Sequence, residues 1–149
     1  MHSPRLQLRH YHFNQLSLTA CADFDPERLQ QSDRLYPSLQ DDALVADIRS
    51  AMLDGGDEVL IVVTLRLAYE APDDRSFPYA LAVEAEGFFA IDTTQNERLE
   101  ACERPAAMEA AGSLYAAIRE QILTVSSRHK FGPMLLPDRT FRDPPSTVR

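Results

Sequence analysis

The sequence predicts a fold in which β-strands fill the first half of the chain and helices the second. Two observations indicate this order. Apolar and polar residues alternate with a period of two in four segments up to residue 91, and beyond it the apolar spacing becomes three or four. The chain has 149 residues, of which 44% are hydrophobic and 26% are charged. Those proportions are typical of a globular protein of this length with one core, so we expect a single domain over residues 1–149.

The first two predicted strands flank a long irregular segment, residues 22–42. By strict alternation the first strand is apolar on both faces, with Leu6, Leu8, Leu16 and Leu18 on one and Tyr11 and Phe13 on the other. We therefore expect it to meet a neighbour on each side. The second strand covers residues 44–53 and ends in Asp-Gly-Gly-Asp. Paired glycines between strands predict a hairpin, because glycine adopts positive φ without steric cost.

The third and fourth strands form a second predicted hairpin. Residues 58–70 and 77–91 alternate cleanly, and the first of these segments is rich in β-branched residues. Proline and aspartates in residues 71–76 supply the turn between them. Gly87 interrupts the fourth strand, which indicates a bulge or a close approach of another group to the backbone.

Two helices are expected after the fourth strand. A short one begins at Thr93 or Thr94 and ends by Cys102, because Pro105 prevents its smooth continuation. A longer one begins at Pro105, which suits a first helical turn, and is closed by the glycine and proline at 132–133. Its apolar residues are spaced three or four apart and predict a buried stripe: Ala111, Leu114, Ile118, Ile122 and Val125.

The charge balance argues against two classes of partner. The chain carries 23 acidic and 15 basic residues, a formal net charge of -8. That sign opposes nucleic acid and anionic membranes, so neither is expected as a partner.

No apolar run is long enough for a signal peptide or a membrane span, which predicts a cytoplasmic protein. Cys21 and Cys102 form no Cys-x-x-Cys pair, and we interpret them as reduced.

The sequence contains no motif of nucleotide or hydrolase chemistry. It has neither a glycine-rich phosphate loop nor a Gly-x-Ser-x-Gly elbow, so we expect no enzyme activity and no cofactor. His10 and His12 could present two imidazoles on one strand face to a metal. Because no third ligand is evident, we favour hydrogen-bonded histidines near an interface. Glu84 and Glu86 are interpreted as a solvated face, with recognition of a basic partner as the alternative.

More apolar residues lie outside the periodic elements than the sheet and helix need. Such residues either cover the sheet or line an exposed groove, and large apolar grooves bind polypeptide or lipid. A long irregular loop inside a compact domain is uncommon and favours a functional role. The residues concerned lie in this loop and after the helix: Leu35, Tyr36, Leu39, Phe131, Met134, Leu135, Leu136 and Phe141.

Three segments of the second half of the chain carry patterns that are similar to those of one protein family. Residues 114–122, Leu-Tyr-Ala-Ala-Ile-Arg-Glu-Gln-Ile, are similar to the family's helix Leu-Phe-Pro-Tyr-Ala-Arg-Glu-x-Ile. Residues 127–137, Ser-Arg-His-Lys-Phe-Gly-Pro-Met-Leu-Leu-Pro, and then Phe141 are similar to its pattern Ser-Arg-Gly-x-Phe-Pro-x-Leu-x-Leu-x-Pro-x-x-Phe. Residues 86–91 resemble its strand ending Gly-(Ile/Val)-Phe-x-Ile. On these segments the chain resembles the SecB family of protein-export chaperones, and the likeness extends from about residue 5 to 142.

The resemblance implies an α+β fold in which a long C-terminal helix packs on a four-stranded antiparallel sheet. It further implies a homotetramer, a dimer of dimers, that acts in protein export as an ATP-independent holdase without a cofactor. Non-native polypeptides would bind in grooves lined by the eight apolar residues outside the periodic elements. The first strand and the helix would form the oligomer interface, through Tyr11, Phe13, Leu114 and Ile118.

The chain departs from the family where SecB docks on the SecA motor. Acidic side chains on the sheet mediate that docking, and the matching positions here are Gln15, Thr19 and Ala82. Whether SecA is a partner therefore stays an open question. Two alternatives also stay open: a dedicated chaperone of a single client such as an antitoxin, and a protein or enzyme that takes an apolar small ligand in the same groove.

Overall fold

The computed structural model describes residues 6–25, 43–54, 56, 58–70, 77–92 and 99–141. Within these residues the chain forms four strands and then one helix, which confirms the predicted order and the α+β class. Their bounds are β1 Leu6–Ala20, β2 Val45–Asp54, β3 Val59–Tyr69, β4 Tyr79–Ile91 and α1 Leu99–Ser126. No helix in this part of the chain combines the length and the apolar composition of a membrane span.

The four strands form one antiparallel sheet in the order β1-β4-β3-β2. Both predicted hairpins are confirmed, since β2 pairs with β3 and β3 pairs with β4. In the turn between β2 and β3, Gly56 has a φ of 84° and its N–H donates to Oδ1 of Asp54 at 3.1 Å. β1, which pairs with β4, forms one edge of the described sheet, and β2, which pairs with β3, forms the other.

The two faces of β1 differ from the prediction. Its register with β4 shifts between Leu8 and His10 and again between Phe13 and Gln15. Each shift is a β-bulge that inserts one extra residue and reverses the alternation of side chains. Tyr11 and Phe13 therefore lie on the same face as the four leucines, because all of them pair with β4 residues of the buried face.

The helix is continuous across the proline that was predicted to separate two helices. α1 begins at Leu99, and Pro105 lies inside it. The prediction was wrong because a proline near a helix start removes only one backbone hydrogen bond, and tertiary packing of the following turns outweighs that loss. The part of the predicted short helix before residue 99 lies outside the described residues.

One face of α1 packs on one face of the sheet and forms the core. The predicted helix stripe is buried from Ala111 to Ile122, and Val125 is half-buried. The opposing sheet face is the predicted alternation of β3 and β4. Its fully buried side chains include Ile61, Val63, Leu65, Leu67, Tyr79, Val83 and Ala85. The other sheet face, called here the open face, has no described element packed on it.

Candidate binding surface

The segment after α1, residues 133–141 and called here the carboxy-terminal arm, returns along the molecule in extended form. α1 ends at Ser126, so Gly132 does not close the helix as predicted; with a φ of 81° it ends the series of turns that leads from the helix into the arm. Along the arm Met134 and Leu136 are buried at 0% exposure, whereas Leu135 between them is half-buried. The arm therefore has an inner side that completes the core and an outer side that carries Leu135.

Two side chains of α1 hold the backbone of the arm. Tyr115 donates its hydroxyl to the carbonyl of Pro137, and Arg119 donates Nε to the carbonyl of Leu136 at 3.0 Å. A second guanidinium nitrogen of Arg119 lies 2.7 Å from the carboxylate of Asp138. Because the two helical residues are four apart they lie on one face, and that spacing is the sequence signal that could have predicted this role.

The end of the arm is tied to the start of β2. Arg139 donates Nη1 to the carbonyl of Leu44 at 2.9 Å, and its guanidinium lies 5.5 Å from the ring centre of Phe141. The ring of Phe141 in turn packs edge-on against Tyr115 at 5.7 Å. The half-buried Phe141 is thus fixed between a cation and an aromatic ring.

The start of the arm is held by two hydroxyl groups. Tyr79 donates to the carbonyl of Gly132 at 2.7 Å and accepts from the N–H of Phe131 at 3.1 Å. Burial raises the pKa of Tyr79, and the hydrogen bond from Phe131 opposes this rise. Ser126, at the end of α1, accepts from the N–H of Met134 at 2.8 Å. These bonds fix the position of the Phe131 ring, which packs on Phe24 at 4.9 Å.

The structure separates the eight predicted groove residues into three groups. Leu35, Tyr36 and Leu39 lie outside the described residues. Phe131, Leu135 and Phe141 are half-buried and keep part of their side chains at the surface. Met134 and Leu136 belong to the core of the subunit, so the part of the prediction that exposes them to a client is corrected. Alternation along the extended arm is the physical reason, because successive side chains point to opposite sides.

The four predicted interface residues are likewise divided. Leu114 and Ile118 face the sheet and are buried at 2% and 0% exposure, so they serve the core of the subunit. Phe13 is half-buried against that core. Tyr11 is exposed at 41%, and Leu8, which the sequence prediction did not select, is exposed at 47% on the same face of the same edge strand.

The open face carries a polar and aromatic cluster. The rings of His10 and His12 lie 5.4 Å apart, and each lies 6.3 Å from the ring of Phe88. Nε2 of His12 is 3.3 Å from the carboxylate of Glu86, and Asn14 donates to Glu84 at 3.0 Å. Among the described residues, no three His, Cys, Asp or Glu side chains are placed to hold a metal ion.

A shallow cavity that the sequence did not indicate lies between β2 and the first turns of α1. Ser50 donates to Glu103 at 3.3 Å across it. Its volume is about 240 Å³, below the range of about 300 to 1,000 Å³ usual for drug-sized ligands. The lining residues are Ile48, Ser50, Glu103, Arg104, Ala107 and Met108.

Comparison with known proteins identifies the fold. No family model matches the sequence, and no curated protein does. The structure is similar to the Mycobacterium tuberculosis SecB-like chaperone Rv1957, solved in complex with a ChAD peptide from the Rv1956 HigA1 antitoxin. The TM-score is 0.54 at 16% identity, over 91% of each chain. The fold is SecB-like.

A second solved structure is also similar to this one. It is a protein of unknown function from Streptococcus agalactiae, with a TM-score of 0.62 at 8% identity over 93% of this chain and 100% of that one. The similarity to the SecB-like chaperone Rv1957 confirms, for the fold, the resemblance that was drawn from the sequence. At these identities the likeness concerns the fold, and the roles of individual residues are argued below from the contacts of this chain.

Proposed function

We propose that the protein is an ATP-independent chaperone that holds non-native polypeptides. The observation that carries this proposal is the SecB-like fold, shared with a chaperone whose structure contains a peptide of its antitoxin partner. The outer side of the carboxy-terminal arm is the surface we assign to clients. Leu135 and Phe141 of the arm, together with Phe131 just before it, provide apolar contact there. The hydrogen bonds from Tyr115 and Arg119 hold the arm in place.

The free energy of apolar burial favours a protein that binds many different client sequences. Burial of apolar client surface is worth about 25 cal/mol per Å², before the cost of ordering the client. Half-buried apolar side chains contribute this energy without a requirement for a particular partner side chain. In this proposal the segment with Leu35, Tyr36 and Leu39 supplies further apolar contacts to the client, and delivery of clients to SecA for export is a separate step.

We further propose that the protein assembles through the edge formed by β1. Leu8 and Tyr11 are large apolar side chains exposed side by side on this strand. An exposed edge strand with apolar residues is a site for pairing with another strand, and a second copy satisfies it in a closed symmetric way. A tetramer built as a dimer of dimers is the assembly expected for this fold.

A chaperone dedicated to one client is the second candidate. The observation that favours it is the antitoxin peptide in the Rv1957 complex. The two candidates differ in range: a general holdase binds many unfolded chains, whereas a dedicated chaperone binds one short segment.

The test is an aggregation assay with at least three unrelated unfolded clients, without nucleotide. Suppression of aggregation for all of them at near-stoichiometric amounts supports the general holdase. Suppression for none, with a peptide array that shows one bound segment, supports the dedicated chaperone. Absence of any binding to unfolded chains or peptides contradicts both. Addition of purified SecA to the client complex tests export delivery separately.

A further inference from the structure

His10 and His12 present their imidazole rings side by side on the open face of β1. They pair with Phe88 and Glu86 of β4, and the two register shifts of β1 lie outside this pair. The two ring centres are 5.4 Å apart. Two imidazoles bound to one tetrahedral zinc ion, at a Zn–N distance of about 2.1 Å, have ring centres about 5 Å apart. The two rings therefore already have the separation of two ligands of one zinc ion.

Glu86 gives His12 the hydrogen-bond partner that a metal-bound histidine ordinarily has. Its carboxylate lies 3.3 Å from Nε2 of His12 and accepts the hydroxyl of Thr64 at 3.3 Å. Because a carboxylate is an acceptor only, Nε2 of the neutral ring carries the hydrogen and Nδ1 presents its lone pair. Histidine ligands usually donate their second N–H to a carboxylate, which fixes the ring and strengthens it as a ligand. Thr64 and Glu86 thus form the support of a ligand at His12.

The groups around the two histidines allow a cation to bind. The ring of Phe88 lies 6.3 Å from each imidazole and forms an apolar floor beside both. Glu86 adds negative charge next to His12. The guanidinium of Arg9, which precedes the pair in sequence, is bound to the carboxylate of Glu58. Its charge is therefore compensated by a partner other than the histidines.

One chain supplies only two ligands, whereas a structural zinc ion has four. Among the described residues, no group of three His, Cys, Asp or Glu side chains is placed to hold a metal ion. The missing ligands must come from another chain, and β1 is an edge strand of the described sheet. Its outer side is the place where a strand of that chain can pair.

A second copy of this chain brings the same two histidines to that edge. In an antiparallel strand pair, residues directly opposite each other share a face and have Cβ atoms about 4.5 to 5.5 Å apart. A two-fold axis at Tyr11 sets His10 of each copy opposite His12 of the other, so that four imidazoles surround one point. The same register sets the exposed side chain of Tyr11 against its own copy on the opposite face of the sheet.

We propose that His10 and His12 of two copies form one shared zinc site across paired β1 strands. The site rests on the proposed assembly through β1 and adds a register and a metal to it. Imidazole is a ligand that suits zinc, and four neutral imidazoles fill its tetrahedral shell. The ion then joins the open faces of two sheets, on the side away from α1.

The first experiment is a zinc titration of the full chain at neutral pH, after removal of metal with a chelator and in competition with a chromogenic chelator. We expect one zinc ion for every two chains, and X-ray absorption that shows four imidazole nitrogens around it. One zinc ion per chain, with two imidazoles completed by water, would overturn the shared site. Absence of zinc binding would overturn it as well.

Four variants assign the ligands and their support. H10Q and H12Q each remove two of the four ligands and should abolish zinc binding, whereas H129Q should retain it, because His129 contacts the carbonyls of Val125 and Leu18 elsewhere. E86Q should weaken zinc binding by about tenfold or more, the usual effect of losing the partner of a histidine ligand. E84Q is its matched control, since Glu84 accepts from Asn14 and not from a histidine. Equal affinities of E86Q and E84Q would contradict the role of Glu86.

The last experiment is light scattering of the wild type without metal and with added zinc, at low protein concentration. We expect zinc to maintain the assembly at dilutions where the metal-free protein dissociates, and to have no such effect on H10Q. An assembly that forms but binds no zinc rejects the metal site and leaves the proposed assembly intact. A monomer with and without zinc rejects both. Suppression of client aggregation is measured separately, so a failure of the proposed chaperone function is distinguishable from either result.

Discussion

Gly87 lies so close to the ring of Phe89, two residues further along β4, that a side chain has no room between them. A Cβ built on Gly87 would lie 2.7 Å from Cε2 of Phe89 and 3.0 Å from Cδ2 of Leu114 on α1. This is the close approach that the interruption of the fourth strand by glycine predicted. At this position α1 packs closely on the sheet, since Leu114 belongs to the helix.

Substitution of Gly87 by alanine should therefore destabilise the protein by overpacking. We expect a loss of about 1 to 3 kcal/mol in the free energy of unfolding, because Phe89 and Leu114 are confined by the core. G112A is the matched control: a Cβ there meets nothing within 4 Å, and alanine is favoured over glycine in a helix by about 0.5 to 1 kcal/mol. Urea unfolding of both variants measures the difference. Equal effects of the two substitutions would contradict this packing.

Substitutions at the adjacent residues Leu135 and Leu136 should affect different properties: client binding at Leu135 and stability at Leu136. L136A removes a fully buried side chain and should cost about 2 to 5 kcal/mol of stability. L135D places a charge on the outer side of the arm and should weaken suppression of client aggregation while the circular dichroism spectrum and the melting temperature change little. T140D is the control, since it adds the same charge at an exposed position of the arm. Unchanged suppression by a folded L135D protein would remove Leu135 from the client surface.

Cys21 should be a slow nucleophile. Burial raises the pKa of its thiol, and the negative charge of Asp23 raises it further. A raised pKa lowers the fraction of reactive thiolate at pH 7 to 8, so alkylation should be slower than for an unfolded cysteine peptide. D23N removes the second cause and should increase the rate. Mass spectrometry of the peptide that contains Cys21 measures this rate, and a rate unaffected by D23N would contradict the role of Asp23.

The exposed pair on β1 should control assembly. We expect light scattering of the wild type to report about four chains, and L8D/Y11D to report a smaller particle, because the two aspartates replace the exposed apolar side chains that the proposed interface would bury. S17D/T19D is the control: it adds the same charges to β1 on the open face. A wild-type monomer would reject the proposed assembly, and a full-size L8D/Y11D particle would locate the interface elsewhere.

The faces of β1 show where sequence reasoning reached its limit. The apolar residues of this strand change phase twice, between Leu8 and Tyr11 and between Phe13 and Leu16, and each change coincides with a bulge. Under strict alternation, a phase change places the residues that follow it on the opposite face. The prediction therefore gave β1 a second apolar face, with Tyr11 and Phe13. A bulge is a property of a strand pair, because the extra residue is defined only against β4, so one strand alone does not reveal it.

The sequence by itself determined the order of the elements, the buried face of β3 and β4 and the buried stripe of the helix. Those features follow from the periodicity of side chains along a single strand or helix. Only the tertiary structure decided that Met134 and Leu136 complete the core while Leu135 stays at the surface, and that Tyr115 and Arg119 hold the backbone of the arm. Such features depend on what packs against a residue, and packing joins groups far apart in sequence whose relative positions no local pattern encodes.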